Sequence, residues 1–151
     1  MNEILNAKIT STKLGEDHGC LTAYVIMEGN GWGCGYGGYV LDRWCAEPGR
    51  DESRDGYGAI IELMKTVGVE SWEELKGKCI RAKFDSPFGK VVAIGNLFKD
   101  QWFSFEEYFE ETRVEKKKES KYDERGIKSR SRRRVLAQAD KFATERSNNQ
   151  K

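Results

Sequence analysis

Phe84, Phe88, Asn96, Trp102 and Phe103 are side chains of the kinds that hold a nucleotide, and all fall between residues 84 and 103. Aromatic faces stack on bases, an Asn amide matches an adenine edge, and arginine forks onto phosphate. Arginines occur at Arg43, Arg50 and Arg54, and again at Arg113. Taken singly, Phe84, Trp102 and Phe103 fit a hydrophobic core equally well. As a constellation they suit a nucleotide-like small molecule.

Other patterns match known chemistry less well. Six of the eleven residues from Gly29 to Tyr39 are glycine and three are aromatic. Gly33-x-Gly35-x-x-Gly38 has the letters of a dinucleotide fingerprint, but Tyr39-Val40-Leu41 continues as a strand where that motif needs a helix. No Lys-Ser or Lys-Thr follows the last glycine, so a P-loop is excluded too. Asp17-His18 resembles a base with its orienting carboxylate, yet adjacent residues rarely point at each other and turn chemistry explains the pair. No nucleophile motif accompanies it. Glu106-Glu107 suits the electrostatics of a helix N-terminus better than acid–base work. No enzymatic activity, catalytic residue, cofactor or metal site is expected.

The positioning elements follow from periodicity. Ile4 to Leu14 reads as a strand, Gly15 to Gly19 as a turn, and Cys20 to Glu28 as a strand with Leu21, Ala23, Val25 and Met27 on one face. Gly29-Asn30 is a hairpin signal, and Trp32 to Leu41 returns with Tyr36 and Tyr39 on opposite faces. Residues 42–56 read as a loop. Ile60, Leu63, Met64 and Val67 define an amphipathic helix over Tyr57 to Val67, ended by Gly68. Ser71-Trp72-Glu73-Glu74 is a capping box for a short helix. Cys79 to Phe84 and Lys90 to Asn96 form a second hairpin about the turn 85–89. Ser104-Phe105-Glu106-Glu107 caps a helix with Phe105, Tyr108, Phe109 and Thr112 on one side. A last helix is expected over roughly Ser131 to Arg146, with fraying beyond. The fold class is α+β: an antiparallel sheet of hairpins, a packed amphipathic helix and C-terminal helices.

Charge divides the chain. From Glu110 onward there are 14 Lys/Arg and 8 Asp/Glu, a net of +6; the preceding residues carry 12 and 17, a net of −5. This supports a core domain over 1–110 and a charged, mostly helical extension over 111–151. Arg125 to Arg134 holds six basic residues and no acidic one, an electrostatic footprint for nucleic acid. A small nucleic-acid or protein-interaction module acting through that cluster is the alternative function. Four cysteines without C-x-x-C spacing, no signal-peptide pattern after Met1 and no apolar run of about 20 residues point to reduced thiols, a cytosolic setting and no membrane span.

The run Asn6-Ala7-Lys8-Ile9, then Asp17-His18-Gly19-Cys20-Leu21-Thr22-Ala23 and Gly33-Cys34-Gly35-Tyr36-Gly37-Gly38-Tyr39-Val40-Leu41-Asp42, resembles the phage Thoeris anti-defence proteins of the first described type. Ser71-Trp72-Glu73-Glu74-Leu75, Ile94-Gly95-Asn96 and Gln101-Trp102-Phe103 agree in order and spacing. The resemblance covers residue 6 to about 110. It implies a sponge in the host cell cytoplasm that takes up, intact, a cyclic ADP-ribose isomer made by a bacterial TIR-domain protein. It further implies a homo-oligomer, from a dimer up to a hexamer, with the ligand near a protomer interface. In some members cyclic oligonucleotides occupy a second site. Carried over by pattern, Phe84 stacks on the base, Asn96 reads base or ribose, Arg113 meets the pyrophosphate, and Lys117 and Trp102 are further candidates. The glycine-lined strand is expected to pack closely against a neighbouring protomer.

Overall fold

In the computed structural model, residues 3–47 and 49–118 are described. The chain divides into a unit of Met1–Glu110 and a second from Glu111 onward. The fold is α+β. Strands β1 (Glu3–Asp17), β2 (Cys20–Gly29), β3 (Trp32–Val40), β6 (Cys79–Phe84), β7 (Val91–Asn96) and β8 (Trp102–Phe103) make one antiparallel sheet in the order β3-β2-β1-β6-β7-β8. The short strands β4 (Arg43–Trp44) and β5 (Arg50–Asp51) pair separately, inside the segment expected to be a loop. Helix α1 spans Arg54–Val67, a 3-10 turn spans Glu73–Leu75, and helix α2 covers 105–118. The basic cluster Arg125 to Arg134 and the expected last helix lie outside the described residues.

β1 is longer than expected because the turn is only His18-Gly19, both with positive φ. Its first half pairs with β6, from Glu3 opposite Phe84 to Lys8 opposite Cys79, and its second half with β2. The β2–β3 turn is Asn30-Gly31, one residue later than Gly29-Asn30, because Gly29 already pairs with Trp32. α1 starts three residues earlier than expected: Ser53 caps it, accepting from the Gly56 N–H at 3.3 Å. Gly68 closes it in the left-handed conformation, donating to the Met64 carbonyl at 2.8 Å. The Ser71–Glu74 pair forms at 3.3 Å, but it organises a single 3-10 turn rather than a second α-helix. At the start of α2, the Ser104 hydroxyl accepts from the Glu107 N–H at 3.4 Å.

Three register shifts interrupt the sheet, one of them in β1 between Ile9 and Ser11, and the other two bear on which side chains reach the site. Tyr24 opposes Gly37 while Thr22 opposes Val40, so β3 carries one extra residue there. Gly37 and Gly38 have φ of 132° and 79°, which glycine alone adopts without strain. The shift reverses the alternation, and Tyr39 stacks on Phe105 at 5.1 Å on the same side as Tyr36, not the opposite one. On β7, Phe84 opposes Val91 and Lys83 opposes Ala93, leaving Val92 without an opposite residue.

The curled sheet closes on itself through Tyr36. Its hydroxyl donates to the Val92 carbonyl at 3.3 Å and accepts the Phe105 N–H at 2.9 Å, tying β3 to β7 and to the start of α2. Burial pushes the phenol's pKa up, so it keeps its proton across the working pH range. Leu63 and Ala59 of α1 fill the concave side with Ile9, Val25, Met27, Ile80 and Ile94. Tyr36→Phe leaves a buried N–H and a carbonyl unpaired and is expected to cost about 2 kcal/mol. Urea unfolding reads the loss, and accelerated hydrogen exchange at the Phe105 amide localises it.

Candidate functional site

The concave face opens at the end where β1 begins, β3 begins and β6 ends. A cavity of about 320 Å³ lies there, lined by Glu3, Leu5, Trp32, Gly33, Cys34, Phe84 and the turn residues Pro87, Phe88 and Gly89. Strand alternation puts Glu3 and Leu5 on the same face as the core residues Ala7 and Ile9. The Trp32 indole lies over Gly29, where a side chain would occupy its space. It thereby reaches Phe84, with ring centroids 5.2 Å apart and planes at 84°. Two perpendicular aromatic walls result.

The β6–β7 turn supplies the rim. The Asp85 carboxylate accepts from the Lys90 N–H at 3.1 Å and from the Ser86 hydroxyl at 3.0 Å, and the Gly89 N–H donates to the Ser86 carbonyl at 2.9 Å. This bonding holds Phe88 at φ 63° with its side chain fully exposed. A bulky residue at positive φ is strained, and such residues concentrate at ligand clamps. Next to the cavity, sharing Cys34 and Gly89 with it, a second cleft of about 400 Å³ runs along Cys34–Tyr39 to Lys90 and Val91.

Of the residues expected to bind ligand, Phe84 lines this cavity and is buried. Asn96 does not. It opposes Ile80 while Phe84 opposes Val91, so four residues of strand, about 13 Å, separate them along β6. The Asn96 amide nitrogen donates to the Thr66 and Val67 carbonyls at 2.9 and 3.4 Å, and its oxygen accepts the Phe98 and Lys99 N–H groups, both at 3.0 Å. Both ends of the amide are engaged within the chain, at the close of α1 and in the turn before β8.

Trp102 is on the other face of the sheet from Phe84. It pairs with Gly95, which pairs with Arg81, and Arg81 alternates with the buried Ile80 and Ala82. The Arg81 guanidinium sits 4.6 Å from the Trp102 ring centre and donates to the Asn96 and Lys99 carbonyls at 2.7 and 2.6 Å. The indole N–H donates to Asp100 at 2.9 Å. Arg113 and Lys117 are exposed residues of the second unit.

Of the arginines of the 42–56 segment, Arg43 and Arg50 are paired with carboxylates of the same segment. Arg50 Nε donates to Asp42 at 3.0 Å, and Arg43 Nε to Asp51 at 3.2 Å. Arg50, helped by the Leu21 N–H at 3.1 Å, holds the Asp42 carboxyl below the usual carboxylate range. Arg54, the first residue of α1, is exposed. The described cysteines are free, and among the described residues no group of three His, Cys, Asp or Glu side chains could hold a metal.

Sequence reasoning missed Glu3, Trp32 and Lys90 as neighbours of a site. The available signal was the pairing of Gly29 with a tryptophan three residues on, which reads as a turn until the indole is seen to cross the strand. The glycine stretch likewise finds its close neighbours inside the chain: Gly35 lies against Ile26, Gly37 against the Ala23 backbone and Gly38 against the Tyr24 ring. No protein-family model, curated protein or solved structure matches this chain.

Proposed function

We propose that the protein is a phage anti-defence sponge that binds a cyclic ADP-ribose isomer made by a bacterial TIR-domain protein and holds it unchanged in the host cell cytoplasm. The observation that carries this reading is the aromatic cavity with Phe84 and Trp32 as perpendicular walls. Its volume is that of a small-molecule site, and ring walls with few polar groups suit a flat base. The resemblance across residues 6 to about 110 supplies the ligand class, the homo-oligomer and the stacking role of Phe84; Arg113 and Lys117, carried over with it, lie beyond that stretch, and Asn96 and Trp102 are engaged within the chain away from this cavity.

Sequestration sets an affinity requirement. A sponge must outcompete an effector at low signal concentration; micromolar binding corresponds to about −8 kcal/mol and nanomolar to about −12. Stacking plus charge-assisted bonds to a pyrophosphate can supply the difference.

The test is recovery of the ligand. Incubation with the cyclic signal, heat denaturation and chromatography of the supernatant should return the signal intact; a degraded product overturns the sponge in favour of a hydrolase. Arg113→Ala is expected to weaken binding by about tenfold or more, some 1.4 kcal/mol, with the assembly state unchanged by native mass spectrometry. An unaltered dissociation constant in calorimetry removes Arg113 from the site.

A further inference from the structure

We infer that the free edge of β3 is a strand-addition site for an extended segment of a partner protein, bound antiparallel, with an aromatic residue opposite Gly35, an acidic one opposite Cys34 and a basic one opposite Gly33. This contact is with a polypeptide and does not depend on the cyclic signal.

Strand register decides which main-chain groups β3 turns outward. In an antiparallel ladder, pairs that exchange both N–H···O bonds alternate with pairs whose N–H and C=O point away from each other. Gly29 and Trp32 close a two-residue turn and are a bonded pair. Alternation then leaves Glu28–Gly33 and Ile26–Gly35 unbonded. The other side of β2 agrees. Counting from Asp17–Cys20, which closes the His18-Gly19 turn, Ile26 is bonded to Ser11 of β1, so its main-chain groups face away from Gly35. β3 is the outermost strand, and the N–H and C=O of Gly33 and Gly35 therefore point off the sheet at exposed positions.

Nothing along this edge blunts it. Proteins protect edges with short strands, charged side chains or proline. β8, at the opposite end of the sheet, has two residues; β3 has nine, none of them charged and none proline. The bulge at Gly37-Gly38 confines the regular edge to its first half. An anion would answer the two N–H groups and leave both carbonyls unpaired. An extended main chain answers all four, because its own donors and acceptors repeat at the same spacing of about 7 Å.

Neighbouring side chains set the partner's sequence. On the convex face Ile26 lies against Gly35 and Glu28 against Gly33, and both are exposed because the glycines cover nothing. An aromatic ring opposite Gly35 covers the glycine and Ile26. A lysine or arginine opposite Gly33 meets Glu28, which has no cation within ion-pair distance among the described residues. On the concave face Cys34 borders the cleft whose one cationic lining residue is Lys90, likewise without an ion-pair partner among the described residues. A glutamate opposite Cys34 answers it. β3 itself has no acidic residue, so a second copy of the same edge does not supply this charge.

The experiment uses the full chain labelled with ¹⁵N and the synthetic peptide acetyl-Thr-Glu-Tyr-Glu-Lys-Thr-amide at millimolar concentration, its tyrosine placed opposite Gly35. The Gly33 and Gly35 amides should exchange rapidly with solvent in the free protein, and the peptide should shift both signals and slow their exchange about tenfold or more. N-methylation of the tyrosine amide, which donates to the Gly35 carbonyl, should weaken binding about tenfold. N-methylation of the glutamate after it, whose N–H points away from β3, should leave binding unchanged. Lys90→Glu should weaken this peptide and favour one with lysine in place of that glutamate.

Equal affinity for the two methylated peptides, no binding at all, or binding without protection at Gly33 and Gly35 overturns the site. Protection of both amides before peptide is added, lost on dilution, assigns the edge to a second copy and overturns it as well.

Discussion

Gly56→Ala is expected to destabilise the protein by about 3 kcal/mol or more, although alanine is normally the better helix residue by about 1 kcal/mol. Gly56 lies in the first turn of α1, and an added Cβ would overlap the Leu41 carbonyl group. Neither side can yield cheaply. The Gly56 N–H is held by the Ser53 cap, and the Leu41 N–H is bonded to the Leu21 carbonyl at 2.9 Å, which fixes the chain as it leaves β3. The helix would have to lift from the sheet and take Ala59 and Leu63, both completely buried, with it. Urea denaturation should show a markedly lower midpoint with an unchanged slope. Gly58→Ala is the control. Its Cβ would meet the hydroxyl end of the Tyr108 side chain rather than a backbone carbonyl, so the loss should be smaller than at Gly56. Equal effects at the two positions would remove the backbone clash as the cause.

Asn96→Asp is the second large effect, and it separates an architectural from a ligand-reading role. Replacing the amide nitrogen by a carboxylate oxygen turns two donated bonds, to Thr66 and Val67, into repulsion between oxygens. At neutral pH the cost is expected to be about 3 kcal/mol, against about 2 for Asn96→Ala, which loses the bonds without adding charge. The two variants also differ in their response to acid. Facing carbonyls raises the folded-state pKa of the new carboxyl above the ordinary value of about 3.9. The folded state then binds its proton first, so the penalty is complete above that raised pKa and shrinks as pH falls through it. A protonated carboxyl can donate to one of the two carbonyls again. Asn96→Ala should show no such recovery relative to wild type. Parallel unfolding curves at neutral and mildly acidic pH check this, and parallel pH profiles for the two variants would refute it. Loss of ligand binding in either variant therefore carries information about the site only at temperatures where the variant is folded.

The effect of Asn96 on the helix end illustrates what a sequence leaves open. Its residue type suits a base edge, and nothing local distinguishes that role from closing α1, thirty residues away in the chain. Trp102 is similar: an aromatic near Asn96 in sequence, yet seated on the face of the sheet opposite Phe84 by its place opposite Gly95. Both lie close to Phe84 along the chain, but the two faces of a strand and its length separate them from it in the fold.

What the amino-acid order determined by itself was local and periodic. The alternation of Ala23, Val25 and Met27 makes a half-buried strand, the spacing of Ile60, Leu63, Met64 and Val67 makes an amphipathic helix, and Gly68 and Ser104 end and begin helices through bonds within a few residues. These follow because the groups that satisfy each element are supplied by its own neighbours. The rest depended on groups far apart in sequence. Only the folded sheet shows that the Gly37-Gly38 bulge turns Tyr39 inward, that Tyr36 ties β3 to β7 and α2, and that Gly29 lets Trp32 cross to Phe84. Each of these is a long-range pairing or clearance, fixed by strand register and curl, and no window of neighbouring residues contains both of its partners.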